Sequence, residues 1–362
     1  MVADDEPWIR AQLPDADEFV PGLAESTIES IVAGPTVCAP RNLLRAGTIP
    51  LTLIPELNYA LLDCLQDFQP SIEVSRGCGM HCTFCAEAEE PLGNIKSPRL
   101  LADEFAYLAK IFGADDIHPY LEASFFRPTT NWTQKFEDAL HRVGVTLQWR
   151  AETRVDAISP KQLEQLARTG LRVLDLGLES ASPRQLRAMR KTTQPDVYLR
   201  RASQLLRACE SANVWAKVNV LLHPGETMES INETVNWLEA HRSSIKGLSV
   251  GPTILFRYGR GTDSLLQEFR GLGAFEVRPG SLDEQGFAHF HLSAEIPHDM
   301  AVTLSRDISR SFMSARDYFD LKSFSYLPRS FKWNDFYNLV TTHNNAEYPF
   351  RFDELNGGVT VR

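Results

Sequence analysis

No stretch of this 362-residue chain reaches the roughly 20 successive apolar residues that a membrane-spanning helix needs. The opening residues, Met1-Val2-Ala3-Asp4-Asp5-Glu6, are acidic and begin no apolar segment of the kind that directs secretion. A cytoplasmic location without a membrane partner is therefore expected. Positive charge is also in short supply: 37 Lys and Arg stand against 47 Asp and Glu, a formal net charge of −10. That excludes the broad basic surface with which proteins hold nucleic acid. Cysteines number six, too few to frame a chain of this length with disulfides. There is no low-complexity tract and no short solenoid period.

The apolar share of 43% and charged share of 23% are those of an ordinary soluble protein. Residues 1–70 are rich in proline and acid and read as an N-terminal extension. From Ser71 to Ile254 short strand-like runs alternate with helical runs, which predicts parallel βα units. The expected strands are Ser71–Ser75, Ile117–Glu122, Thr146–Ala151, Arg172–Leu178, Trp215–Leu222 and Gly247–Ile254. Leu163, Leu166 and Ala167 mark one helix face between them, and Ile231, Val235 and Leu238 another. Pro224-Gly225 stops the fifth strand, and Thr227 is placed to cap the next helix. The fold class is α/β: a partial (β/α)6 TIM-like barrel over residues 71–262, then a C-terminal α+β cap over 263–362.

These strands alternate rather than run continuously apolar. His118, Tyr120, Glu122 and Ser124 share one parity, as do Gln148, Arg150, Glu152 and Arg154. Asp175 with Glu179, and Lys217 with Asn219, oppose the apolar residues of their own strands. A barrel's helix-facing side must be apolar, so the polar parity is expected to face the lumen. An antiparallel sheet with one wet face gives the same alternation, but helices separate nearly every pair of strands.

Directly after the first strand comes Ser75-Arg76-Gly77-Cys78-Gly79-Met80-His81-Cys82-Thr83-Phe84-Cys85. Three thiolates on one tight loop suit one face of an iron–sulfur cubane and leave the fourth iron without a protein ligand. Gly77 and Gly79 let the backbone fold closely around such a core. A structural zinc site needs a fourth ligand, and His81 is awkwardly adjacent to Cys82. Cys209 follows Ala202, Leu205 and Leu206 at helical spacing and reads as core.

The C-x3-C-x2-C spacing with Phe84 before the last cysteine, followed by six βα units, resembles the radical S-adenosylmethionine (SAM) superfamily over Ser71–Thr262. The resemblance implies a [4Fe–4S] cluster on Cys78, Cys82 and Cys85, with SAM on the open iron and Phe84 beside its adenine. Leu176-Gly177-Leu178-Glu179-Ser180 and Met189-Arg190-Lys191 resemble family segments that touch SAM. They carry that role onto Glu179, Ser180 and Lys191. Trp149-Arg150-Ala151-Glu152 does so for Glu152, and the fifth strand, which runs into His223-Pro224-Gly225-Glu226-Thr227, for Asn219. The usual Gly-Gly-Glu-Pro after the second strand is replaced by Leu121-Glu122-Ala123-Ser124-Phe125, leaving Ser124 as the cofactor contact there. Tyr120, Glu122 and His223 are the candidate catalytic groups. Lys191 also reads as an exposed helix charge, and Arg154 with Asp156 as a surface ion pair worth little.

The same segments resemble the cobalamin-binding-type subgroup. About 70 residues precede the cluster motif, too few for a cobalamin domain, so a cobalamin-free member is expected. No cysteine follows Cys209, and Cys38 and Cys64 are too dispersed for an auxiliary cluster. The cations Arg150, Arg154, Lys217, Arg257 and Arg260 suit an anionic small-molecule substrate. Cytosylglucuronate decarboxylases of antibiotic pathways are similar in length and in lacking cobalamin. That likeness implies hydrogen abstraction from a sugar-acid nucleoside and loss of CO2, with an electron donor such as flavodoxin or ferredoxin. The rival expectations are radical methyl transfer and a non-catalytic iron–sulfur protein. Past residue 263 the dense aromatics read as packed core, and Phe287–His291 as a strand with both histidines on one face.

Overall fold

The computed structural model describes residues 8–16, 28, 51, 56–85, 87, 90–113, 117–257, 261–342 and 347–352. Cys38 and Arg260 lie outside them. The helices begin where short polar side chains satisfy free backbone N–H groups. Ser97 Oγ accepts from the Leu100 N–H at the start of α1 (Pro98–Phe112), and Thr129 does the same for α2 (Thr130–Val143). Ser159 and Gln162 cap each other's backbone at α3 (Pro160–Arg168). Two further helices, α4 (Pro183–Ala188) and α5 (Pro195–Ser211), follow with proline in the first turn. Thr227 caps α6 (Met228–Glu239), as its place after the Pro224-Gly225 turn predicts.

Between these helices run β1 (Ser71–Ser75), β2 (Tyr120–Ala123), β3 (Trp149–Arg154), β4 (Leu171–Glu179), β5 (Trp215–Leu222) and β6 (Gly247–Pro252). They form one six-stranded sheet in the order β1-β2-β3-β4-β5-β6, every neighbour parallel. β1 and β6 are its two edges, so the barrel is open. The first and fifth strands match expectation; the others shift. β2 starts at Tyr120 because the His118 N–H is taken by the Gln69 side chain and Pro119 has no N–H to give. β3 starts and ends three residues later than expected. The sixth strand ends at Pro252, and Thr253 turns back to donate to the Leu222 carbonyl. The chain then enters a second sheet, in which β7 (Ile254–Phe256) and β8 (Phe275–Glu276) flank β9 (Phe287–His291). Within it lie α7 (Thr262–Gly271) and α8 (Ser281–Gln285).

The helix-facing parity is the main core: Leu174, Leu176 and Leu178 of β4 and Ala216, Val218 and Val220 of β5 are all buried there, with Cys209. The opposite parity carries Val173 and Trp215 at the start of β4 and β5. A second apolar cluster packs on these from the last third of the chain, after α9 (His298–Phe312) runs along β6. It comes from α10 (Ala315–Ser323), Phe324, α11 (Trp333–Thr341) and Phe350. Most of the aromatics there are packed core, as read from the sequence, while Tyr326 is half-exposed. The packed ones floor the N-terminal end of the sheet's inner face. No helix among the described residues is long and apolar enough to cross a membrane.

Candidate active site

At the C-terminal end of β1 the chain turns into the cysteine loop. Gly77 and Gly79 both take left-handed backbone, and a Cβ at Gly77 would collide with the Pro91 carbonyl. The loop is tied down by three main-chain bonds: Cys78 N–H to the Glu90 carbonyl at 3.0 Å, Gly93 N–H to Arg76 at 2.8 Å, and Thr83 N–H to Met189 at 3.1 Å. Cys78, Cys82 and Cys85 are free thiols, the first and last half-buried and Cys82 buried. Cys78 and Cys82 act electrostatically on Cys85, and Cys82 on Cys78, so the three share one neighbourhood. No three His, Cys, Asp or Glu side chains among the described residues are gathered closely enough for a single metal ion. A cubane spans several atoms and separates its thiolates further than one ion does. Three thiols on one loop, with no fourth, fit a [4Fe–4S] cluster with an open iron.

Around the loop stand the ends of β3 and β4. Arg154 is buried, not a surface group. Its guanidinium is held by Asp156 at 2.9 Å and the Lys191 carbonyl at 2.8 Å, and reaches Cys82 Sγ at 3.7 Å. Lys191 is buried too, with Nζ 3.0 Å from Glu179 and 5.8 Å from the Phe84 ring centroid. Glu179 closes β4 in a left-handed conformation that costs a non-glycine residue on the order of 1 kcal/mol. Gly177 makes room for the pair, since a Cβ there would lie 2.7 Å from Glu179 Oε1 and 3.2 Å from Lys191 Nζ. Ser180 is buried and faces away: its hydroxyl meets Thr234 at 3.1 Å and accepts from the Ser182 N–H. Ser124 sits exposed just beyond β2.

His223 lies behind the loop rather than in the open space. It is fully buried, 3.3 Å from Thr83 Oγ1, with its ring edge-on to Phe84 and Phe269. Burial lowers its pKa to about 4, so the ring is neutral. Thr83 is a site residue the sequence reading missed; only its position between Cys82 and Phe84 marks it.

Deeper on the inner face, Arg150 is buried and saturated. It makes a two-pronged pair with Asp175 (2.5 and 2.8 Å), donates to the Leu321 carbonyl at 2.8 Å, and lies against the Tyr120 and Tyr326 rings. Lys217 is held by Asp175 at 3.2 Å and by Asn219 at 3.1 Å. These cations answer protein carboxylates first. Glu152 is solvent-accessible although protein groups surround it, as on a concave wall, and it accepts from Tyr120 Oη at 3.2 Å. Burial, then Asp175, raises the Glu152 pKa; burial, then Glu152, raises that of Glu122; burial, then Glu152, raises that of Tyr120. Tyr326, which closes this wall, had no signal in the sequence.

Residues 72–238 match the Radical SAM superfamily. Proteins of that superfamily use a [4Fe–4S] cluster and SAM. The chain is similar to the ribosomal protein uS12 methylthiotransferase RimO of Alkalilimnicola ehrlichii, 26% identical over 186 residues, 47% of this chain and 41% of that protein. It is similar to an uncharacterized methyltransferase of Pyrococcus horikoshii, 23% identical over 171 residues, 46% of this chain and 36% of that one. The chain thus spans about two fifths of the curated relatives it matches. Among solved structures, the radical SAM methyltransferase TsrM of Kitasatospora setae, with cobalamin and a [4Fe–4S] cluster bound, is similar at TM-score 0.49 and 19% identity, over 59% of this chain and 39% of that one.

Proposed function

We propose that this protein is a radical SAM enzyme acting on a polar small molecule bound against the inner face of the sheet. The observation that carries the reading is the loop of three free thiols at the end of β1, set in a segment that matches the family. Cys78, Cys82 and Cys85 would hold the cluster. When bound, cluster and SAM supply reductive cleavage to methionine and a 5′-deoxyadenosyl radical that takes a hydrogen atom from the substrate. The protein's own groups prepare that chemistry. Arg154 sets positive charge beside Cys82. Glu179 and Lys191 present a fixed charge pair, and Ser124 a hydroxyl, to the polar end of SAM. Phe84 offers a ring face to the adenine. Ser180 and His223 act behind the surface: one braces the strand end, the other packs the loop. Asn219 is engaged by Lys217, one pleat above it.

A flavodoxin- or ferredoxin-type donor would supply the electron. The expected anionic substrate was read from Arg150, Arg154 and Lys217, and each of these is bound by protein carboxylates. The sugar-acid substrate and its decarboxylation rest on likeness in length and in lacking cobalamin. The curated relatives carry transferase names, so methyl transfer stands as the second reading. Anaerobic reconstitution with iron and sulfide, then SAM and dithionite, tests the proposal. 5′-Deoxyadenosine is expected from the native protein and not from Cys82→Ala, whereas its absence from both contradicts the reading.

A further inference from the structure

Five inner-face residues fall on one line across the sheet. Glu73 pairs with Glu122 in register. Leu121 pairs with Ala151, which sets Glu122 beside Glu152 one step on. Glu152 pairs with Asp175, and Asp175 with Lys217. Neighbouring strands lie about 4.8 Å apart, so charges on such a line act strongly on one another. Some are answered within the fold: Glu73 by Arg76, Asp175 by Arg150 and Lys217. Glu122 and Glu152 form no ion pair among the described residues, and the charges acting on Glu122 are those of Glu152 and Glu73. On the other side Lys322 reaches in from α10 over the Tyr326 ring, facing Lys217, Arg150 and Asp175, and it too forms no ion pair among the described residues.

The concavity is therefore charged in two halves. Over β1–β3, Glu73, Glu122 and Glu152 outnumber Arg76 and Arg150. Over β4–β5, Lys217 with Lys322 from α10 outnumber Asp175. A separate observation points to a ligand here. Ser75 is 4% exposed and its hydroxyl has no hydrogen-bond partner. It stands two residues beyond Glu73, past a register shift in β1 that pairs it with Ala123, between the charged line and the cysteine loop. Buried hydroxyls are almost always bonded, so this one is open to a hydrogen bond from a bound molecule or an ordered water.

We propose that this concavity takes a zwitterionic small molecule, its ammonium group between Glu122 and Glu152 and its anionic group toward Lys322 and Lys217. The strand spacing puts these two ends several ångströms apart, further than the two charges of an α-amino acid. The assignment rests on the radical SAM reading only for calling this concavity the substrate site.

The test is equilibrium dialysis of the reconstituted protein, with SAM, against 6-aminohexanoate, hexylammonium and hexanoate, which share one chain and differ in charge. Cluster and SAM content are measured first on the same sample, so a failure there bears on the enzyme reading and not on this one. 6-Aminohexanoate is expected to be retained at least fivefold over either singly charged probe. The neutral pair Glu122→Gln with Glu152→Gln should reduce it to the level of hexanoate, and Lys322→Met to that of hexylammonium. The wild-type comparison decides by itself if a variant does not fold. Retention of a singly charged probe equal to that of the zwitterion, or no discrimination at all, overturns the proposal. So does a preference that survives both sets of substitutions, or loss of SAM rather than probe in the glutamine variants.

Discussion

One guanidinium nitrogen of Arg154 stands 3.7 Å from the sulfur of Cys82, while Asp156 and the Lys191 carbonyl fix the rest of the group. A buried positive charge beside a cluster ligand favours the more negative, reduced cluster. Arg154→Gln should leave iron and sulfide content intact and move the cluster's midpoint potential to a more negative value. An EPR-monitored redox titration reads this, and an unchanged midpoint would show that Arg154 serves packing alone.

The cysteine loop should tolerate its two glycines unequally. Gly77→Ala drives a methyl group into the Pro91 carbonyl, whereas at Gly79 the nearest atom, Leu92 N, lies 3.5 Å away. Both positions are left-handed, so each alanine also carries a strain of about 1 kcal/mol. Iron bound per chain after reconstitution should fall severely in Gly77→Ala and only slightly in Gly79→Ala.

The spacing of the cysteines, the βα alternation and the inward parity of the polar residues were all legible in the chain, because each is a local pattern. What each polar residue meets was not. Arg150 looks like a free anion-binding group until Asp175, from the next strand, and the Leu321 carbonyl, 171 residues on, take up its donors. His223 looks like a pocket base until Phe84 and Phe269 close over it. The start of β2 was misjudged for a similar reason, since Gln69 competes for a backbone N–H from another segment.

The Arg150–Asp175 pair, nearly inaccessible to solvent, makes a stability prediction. Asp175→Asn removes the carboxylate and leaves Arg150 charged in the interior, a change that costs about 3–5 kcal/mol. Urea unfolding should show the unfolding free energy lowered by that much, read as a lower midpoint with little change in slope.

Glu226 gives a pH prediction with a definite sign. It is 2% exposed, accepts from the Ser230 hydroxyl, and burial raises its pKa from 4.5 to about 7. A carboxyl whose folded pKa is raised holds its proton more tightly folded than unfolded. Its contribution is fully present below pH 4.5 and is lost as pH rises through about 7, a cost of about 3 kcal/mol at higher pH. Glu226→Gln should therefore be more stable than the native protein at pH 8, with the gap shrinking toward pH 5, as followed by thermal unfolding.

The central claim is that three thiols on one loop hold a cluster that cleaves SAM. It is tested most directly by measuring 5′-deoxyadenosine from anaerobically reconstituted protein with SAM, with and without dithionite, beside Cys82→Ala and Cys209→Ala. The account predicts product only with reductant, undiminished in Cys209→Ala and absent in Cys82→Ala. Product from Cys82→Ala at the native level, or none from the native protein carrying a full complement of iron and sulfide, would contradict it.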